Sequence, residues 1–266
     1  MSLFKFLQGL NSVVEQPPVI PVPKKALVMG TNYLGTNNKL TCCVKDCIRM
    51  SKMLESMGYT VRRFYSQKTP VCQVVFESLD RWFAELKPGD KAVFYYSGHG
   101  THVEGDKSNS EEDNNDEALF IGNNCLVLDD YLRKLVQSVP AGVELTCIFD
   151  CCESGTMLDM PLRYEKSEKF VDNDHVFLAD VVVLSGCRDG KYSYESDGTG
   201  HLTDAVIRTI GALQNKRTRG GKRLKIVMNW YDFYLQVYDN MIKNEEWKQE
   251  IQLSYSSDAA IQKFWL

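Results

Sequence analysis

Apolar runs that recur between segments of helical spacing constrain this chain more than any other feature. KALVMGTNY (25–33), YTVRRFY (59–65), KAVFYYSGHG (91–100), ELTCIFD (144–150), LADVVVLSGC (178–187) and IQLSYSS (251–257) each read as a strand. Between them, residues 42–57, 71–86, 127–138, 201–214 and 229–243 suit helices. Alternating strands and helices imply crossovers, and crossovers give parallel neighbours. The expected class is therefore α/β, a mostly parallel central sheet flanked by helices on both faces. Such sheets keep their chemistry at the carboxyl ends of the strands.

Residues 1–24 read as an N-terminal extension, with QPPVIPVP (16–23) as a stiff linker because proline fixes φ and removes donors. Residues 25–266 then form one domain. THVEGDKSNSEEDNNDEAL reads as a polar, acidic loop, and the stretch after CCESG reads as a second long loop. The net charge is −4 with no basic block, which argues against nucleic acid as a partner. The cationic stretch KRTRGGKRLK (216–225) is broken by glycines and reads as a solvated loop. No apolar run is long enough to span a bilayer, and the first residues do not form a signal peptide. The nine cysteines include no CxxC pair, so reduced thiols and an intracellular, cytoplasmic setting are expected.

Two strands end in turns that carry chemically capable groups. One offers Ser97, Gly98, His99 and Gly100; the other offers Asp150, Cys151, Cys152, Glu153, Ser154 and Gly155. If the two ends adjoin, an imidazole faces a thiol, and it can take the thiol proton or hold a thiolate. Main-chain N–H groups at the glycine turn and the thiol, those of Gly100 and Cys152, can bind the oxyanion of an attacked carbonyl. The reaction class is acyl transfer, most simply amide hydrolysis. Side chains two apart on an extended chain share a side, so Asp150 pairs with Cys152 and Cys151 points into packing. The turn is free to break that alternation, and Cys151 stays a second candidate. Tyr95 and Tyr96 read as supports of the strand end.

YYSGHG followed by FDCCESG resembles the caspase-like clan of cysteine peptidases, and the metacaspases within it. ALVMGTNYLGTNNKLTCCVKDC, DEALF, VLDDYL, SGCRD, GHLTDAV and IQLSYSS are similar to that family's other segments, in order. The short N-terminal segment is similar to the type I form. The resemblance implies a caspase-like fold and assigns His99 and Cys152 as a catalytic dyad. It implies a pocket of Cys43, Asp46, Ser97 and Asp150 for the residue before the scissile bond. Carboxylates at the bottom of a pocket select a cation, so cleavage after Arg or Lys is expected. The resemblance also implies an activating, non-catalytic calcium ion on Asp113, Asp129, Asp130 and Asp159. Calcium takes about six to eight oxygens, and a site there would order the loop beside the thiol. Glu153 stands where the family usually has histidine.

Self-cleavage is expected in 161–174 at Arg163, Lys166 or Lys169, beside a site that takes basic residues. Expected partners are peptide or protein substrates, and the resemblance implies a monomer. The rival from another class is a non-catalytic, peptidase-like scaffold that holds partners in the same cleft. A redox protein using Cys151 and Cys152 ranks below both, because adjacent cysteines form strained disulfides.

Overall fold

The computed structural model describes residues 21–104, 115–122, 125–152, 154–155, 157–165, 168–171, 175–186, 195–196, 199–215, 228–242 and 249–266. Most of the N-terminal extension, the basic stretch 216–225, Asp113, Glu153 and Lys166 lie outside them. The elements run β1 (Lys24–Thr31), α1 (Cys43–Ser56), β2 (Thr60–Ser66), α2 (Cys72–Ala84), β3 (Lys91–Ser97), β4 (His99–Glu104), β5 (Asn115–Gly122) and β6 (Cys125–Leu128). They continue with α3 (Asp129–Gln137), β7 (Glu144–Asp150), β8 (Leu162–Glu165), β9 (Glu168–Val171), β10 (Asp180–Ser185), β11 (Glu195–Ser196) and β12 (Thr199–Gly200). The last are α4 (His201–Asn215), α5 (Trp230–Ile242), β13 (Gln252–Tyr255) and α6 (Asp258–Gln262).

The main sheet has the order β2-β1-β3-β7-β10-β13-β8-β9. Strands β2, β1, β3, β7 and β10 are parallel, and β13, β8 and β9 extend the sheet by antiparallel pairing. This is the expected α/β class. Alternation along each central strand builds two cores. Val28, Tyr95 and Ile148 pack with Met50 and Leu54 of α1, Val206 of α4 and Phe233 of α5. Met29, Phe94 and Phe149 pack with Leu79 and Phe83 of α2 and Leu132 of α3. Each such side chain contributes about 1.5–3 kcal/mol by leaving water, so each strand needs helices on both of its faces. Helix α2 shows the local logic: Val75, Leu79, Trp82 and Phe83 form one buried stripe at helical spacing.

Three expectations need correction. The two ends of the acidic loop, 101–104 and 115–119, are strand, within a small sheet of order β4-β5-β6. These strand ends read as loop because they flank the acidic segment. The loop expected over 161–174 holds the β8–β9 hairpin, with Arg163 paired to Phe170 across it. Strand β8 is hydrogen-bonded on both sides, by β13 and by β9, while β9 is an edge. Lastly, the cysteines are not all reduced, since Cys72 and Cys125 form a disulfide with Cα atoms 5.2 Å apart. It ties the start of α2 to β6. No described helix is long and apolar enough to cross a membrane.

The Cys72–Cys125 bond closes a loop of sequence separation 53. In the chain-entropy picture a loop of that length stabilises the fold by about 4 kcal/mol. Reduction by dithiothreitol is therefore expected to lower the melting temperature by several degrees, and the Cys72→Ser variant to melt low without reductant. Identical melting curves with and without reductant would contradict the bond.

Candidate functional site

The site forms where β3 and β7 end side by side. Their parallel register places Ser97 opposite Asp150, and the Gly98 N–H points at the Asp150 carbonyl at 3.5 Å. At Gly98 the chain leaves the sheet and begins β4, whose first residue, His99, is registered with Phe120 of β5. Beyond Asp150 the chain turns through Cys151 and Cys152, and the Ser154 hydroxyl donates to the Cys151 carbonyl at 3.0 Å. Cys151 is 1% exposed and belongs to the apolar layer under α2 and α3. Cys152 is outside any disulfide and half-exposed. The Gly100 backbone packs so closely on Cys152 that a Cβ at residue 100 would collide with the Cys152 carbonyl oxygen. The turns bearing His99 and Cys152 therefore adjoin.

The His99 ring has a defined tautomer. Its Nε2 lies 2.8 Å from the Asn38 carbonyl oxygen, in the loop between β1 and α1. A carbonyl only accepts, so Nε2 carries a proton and donates it. In the neutral ring Nδ1 is then the nitrogen with a free lone pair, able to take a thiol proton. The His99 peptide is held as well: its N–H donates to the Tyr33 hydroxyl at 2.8 Å, and its carbonyl accepts from the Tyr96 hydroxyl at 2.9 Å.

The four residues that the resemblance assigns to a pocket, Cys43, Asp46, Ser97 and Asp150, are all buried. Asp46 and Asp150 face each other across Gly200, the last residue of β12. Asp46 accepts from the Gly200 N–H and the Thr199 hydroxyl, both at 2.7 Å. Asp150 accepts from the Thr203 N–H at 3.0 Å and the Thr203 hydroxyl at 2.6 Å. Because Thr203 gives its proton to Asp150, the Tyr95 hydroxyl donates to Thr203, at 2.6 Å. Arg49 completes the cluster. It donates to Thr199 and Asp204, each at 2.6 Å, and lies 3.6 Å from Asp46. Burial raises the Asp46 pKa, against the opposing pull of Gly200, Thr199, Cys42 and Arg49. In this arrangement both acids are satisfied by the chain itself.

The acids assigned to calcium are also occupied. Asp129 and Asp130 open α3, and Asp129 accepts the Leu158 N–H. Arg133, one helical turn on, lies among them. Its guanidinium pairs with Asp130 and Asp159 and sits 3.6 Å from Asp129. Leu158 and Asp159 have φ of +75° and +40°, so this turn is held in a conformation non-glycine residues rarely adopt. As arranged, these residues do not fit a calcium ion, because the point where three carboxylates meet is filled by a guanidinium. Among the described residues no group of three or more His, Cys, Asp or Glu is set to hold a metal. Of the expected self-cleavage residues, Lys169 is exposed on the edge strand and pairs with Asp258, and Arg163 is half-buried within β8.

Sequence reasoning missed Tyr33, Asn38, Arg49, Thr199, Thr203 and Arg133. Arg133 and Arg49 had a readable signal, as cations three or four residues after acids on a helix.

Known proteins are similar to this chain over most of its length. The metacaspase, peptidase C14 domain family matches residues 24–161. Metacaspase-5 of Trypanosoma cruzi is 27% identical over 263 residues, covering 90% of this chain and 59% of its own length. Metacaspase-3 of Trypanosoma brucei brucei is 31% identical over 283 residues, covering 91% of this chain and 74% of its own. The crystal structure of caspase-1 from Spodoptera frugiperda superposes with a TM-score of 0.55 at 10% identity, covering 87% of this chain and 85% of that one. At that identity the likeness is one of fold.

The raised pKa of Asp46 gives a testable sign. A carboxyl that holds its proton more tightly in the fold than in the unfolded chain contributes stability below its unfolded pKa. That contribution is lost as pH rises through the higher folded pKa. Asp46→Asn cannot titrate, so its melting-temperature deficit against the parent is expected to shrink from pH 4 to pH 7. A deficit that widens with pH would contradict the buried, desolvated carboxyl.

Proposed function

The chain belongs to the metacaspase family, and from that premise we propose that it is a cysteine endopeptidase cutting after Arg or Lys, with Cys152 as nucleophile and His99 as base. The observation that carries this reading is the His99 tautomer. With Nε2 committed to the Asn38 carbonyl, Nδ1 is left for the thiol of the adjoining turn. The thiolate attacks the scissile carbonyl, N–H groups of Gly100 and Cys152 stabilise the oxyanion, and His99 returns the proton to the leaving amine. Water then releases the acyl group by the same base.

The basic specificity is supported by two buried acids, Asp46 and Asp150. A substrate guanidinium approaching them competes with Thr199, Gly200 and Thr203, so cleavage requires β12 and the start of α4 to yield. That closure is also what favours the second reading, a cleft that binds partners without cutting. Self-cleavage is favoured at Lys166, between β8 and β9 in the sequence, over Arg163 of the doubly paired β8.

Fluorogenic peptides ending in Arg, Lys or Asp separate the readings. Hydrolysis of the Arg and Lys peptides, abolished in Cys152→Ala and His99→Ala and retained in Cys151→Ala, is the expected result. A preference for Asp would overturn the pocket, and loss only in Cys151→Ala would overturn the nucleophile. Equal binding with no cutting by the parent would leave the scaffold.

Calcium activation is proposed in a restricted form: a metal reaches Asp129, Asp130 and Asp159 only when Arg133 leaves them. Terbium luminescence should therefore be weak for the parent chain and stronger, and displaceable by calcium, for Arg133→Ala. Equal terbium binding by both would contradict the competition.

A further inference from the structure

We propose that Tyr33 is a positioning residue for His99, resting on the reading of His99 as the base. The residue is fully buried at the start of the loop that follows β1, and it touches His99 in two ways. Its hydroxyl accepts the His99 N–H at 2.8 Å. Its ring lies against the imidazole, with centroids 4.9 Å apart and planes tilted by 36°.

The proton count around the hydroxyl is complete. Tyr33 donates its proton to the Phe120 carbonyl at 2.6 Å, and burial keeps the phenol protonated. The Tyr96 hydroxyl, 3.1 Å away, shares its proton between the His99 carbonyl at 2.9 Å and the Phe120 carbonyl at 3.0 Å. Both polar groups of the His99 main chain are thus held by tyrosine hydroxyls, at the one place where the strand leaves the main sheet for β4. The same pair explains Gly98. A Cβ there would run into both hydroxyls, so the glycine before the histidine is required by the tyrosines that hold it.

The loop is built to keep Tyr33 in place. Tyr33 has φ of +52°, which a bulky residue adopts only when its surroundings enforce it. Its N–H donates to the Thr31 hydroxyl at 3.2 Å, and its carbonyl accepts from the Thr36 hydroxyl at 2.8 Å. The Leu40 N–H donates to the Asn32 carbonyl at 2.9 Å and closes the loop. This loop also supplies the Asn38 carbonyl that orients the imidazole. One closed loop therefore grips His99 at its backbone, through Tyr33, and at its ring, through Asn38. Tyr33 touches no reacting atom; it acts by fixing where Nδ1 points.

Tyr33→Phe removes the hydroxyl and keeps the ring. With an Arg peptide, kcat is expected to fall about 10- to 100-fold with KM unchanged, as for a misplaced catalytic group. The pH midpoint for alkylation of Cys152 by iodoacetamide is expected to rise, because a loosened imidazolium holds a thiolate less well. Tyr59→Phe, which removes a buried hydroxyl that has no hydrogen-bond partner, should match the parent in both assays. If His99→Ala abolishes activity while Tyr33→Phe keeps the parent kcat and alkylation profile, the positioning role is overturned and His99 as base stands. If His99→Ala cuts as the parent does, His99 as base falls, and the positioning role with it. Should Tyr33→Phe fail to melt cooperatively, Tyr96→Phe carries the test. It loosens the carbonyl of the same residue, the same signature is expected, and a parent-like result there overturns the proposal.

Discussion

In the centre of the sheet β3 and β7 run parallel with Ser97 opposite Asp150, and the geometry of the site follows from that pairing. A slip of one residue would turn every side chain of β7 to the opposite face. Phe149 would exchange cores with Ile148, Cys151 would leave the apolar layer, and the turn carrying Cys152 would no longer meet Gly100. Because both faces of these strands are buried, such a slip exposes large apolar side chains on neither face and misplaces them on both. The packing that stabilises the fold is therefore the same packing that sets the turn bearing His99 beside the turn bearing Cys152.

Carboxylates are the second theme. A buried carboxylate without donors is costly, so each one must be satisfied or neutralised. Asp46 and Asp150 take donors from β12 and α4, and the Asp129, Asp130 and Asp159 group takes Arg133. In both places the protein provides from within the kind of partner that the family resemblance would assign to a ligand. Affinity for an external cation is then a difference between two sets of contacts. The chain reads as one whose pocket and acidic cluster rest in a self-satisfied state.

Much of this was legible in the sequence because burial writes a strong pattern. ELTCIFD occupies the bounds of β7, and the alternation of Asp150, Cys151 and Cys152 matches a packed Cys151 and a half-exposed Cys152. The small β4-β5-β6 sheet was not legible, since its strands are short and flank an acidic segment. The β8–β9 hairpin was not either. Charged residues such as Lys169 protect the β9 edge and, with Arg163 of the interior β8, look like loop. The Cys72–Cys125 pairing carries no spacing signal. Tyr33, Asn38, Thr199 and Thr203 act through bonds between segments distant in the chain, which periodicity does not report.

The central claim is that Cys152 and His99 act as one unit beside a pocket for a basic side chain. Trapping with a peptidyl-arginine chloromethyl ketone tests it most directly, with the adduct mapped by peptide mass spectrometry. The account predicts a single adduct on Cys152 that forms far more slowly when His99 is replaced by alanine. An adduct on Cys151, or labelling of Cys152 at the same rate without the imidazole, would contradict it.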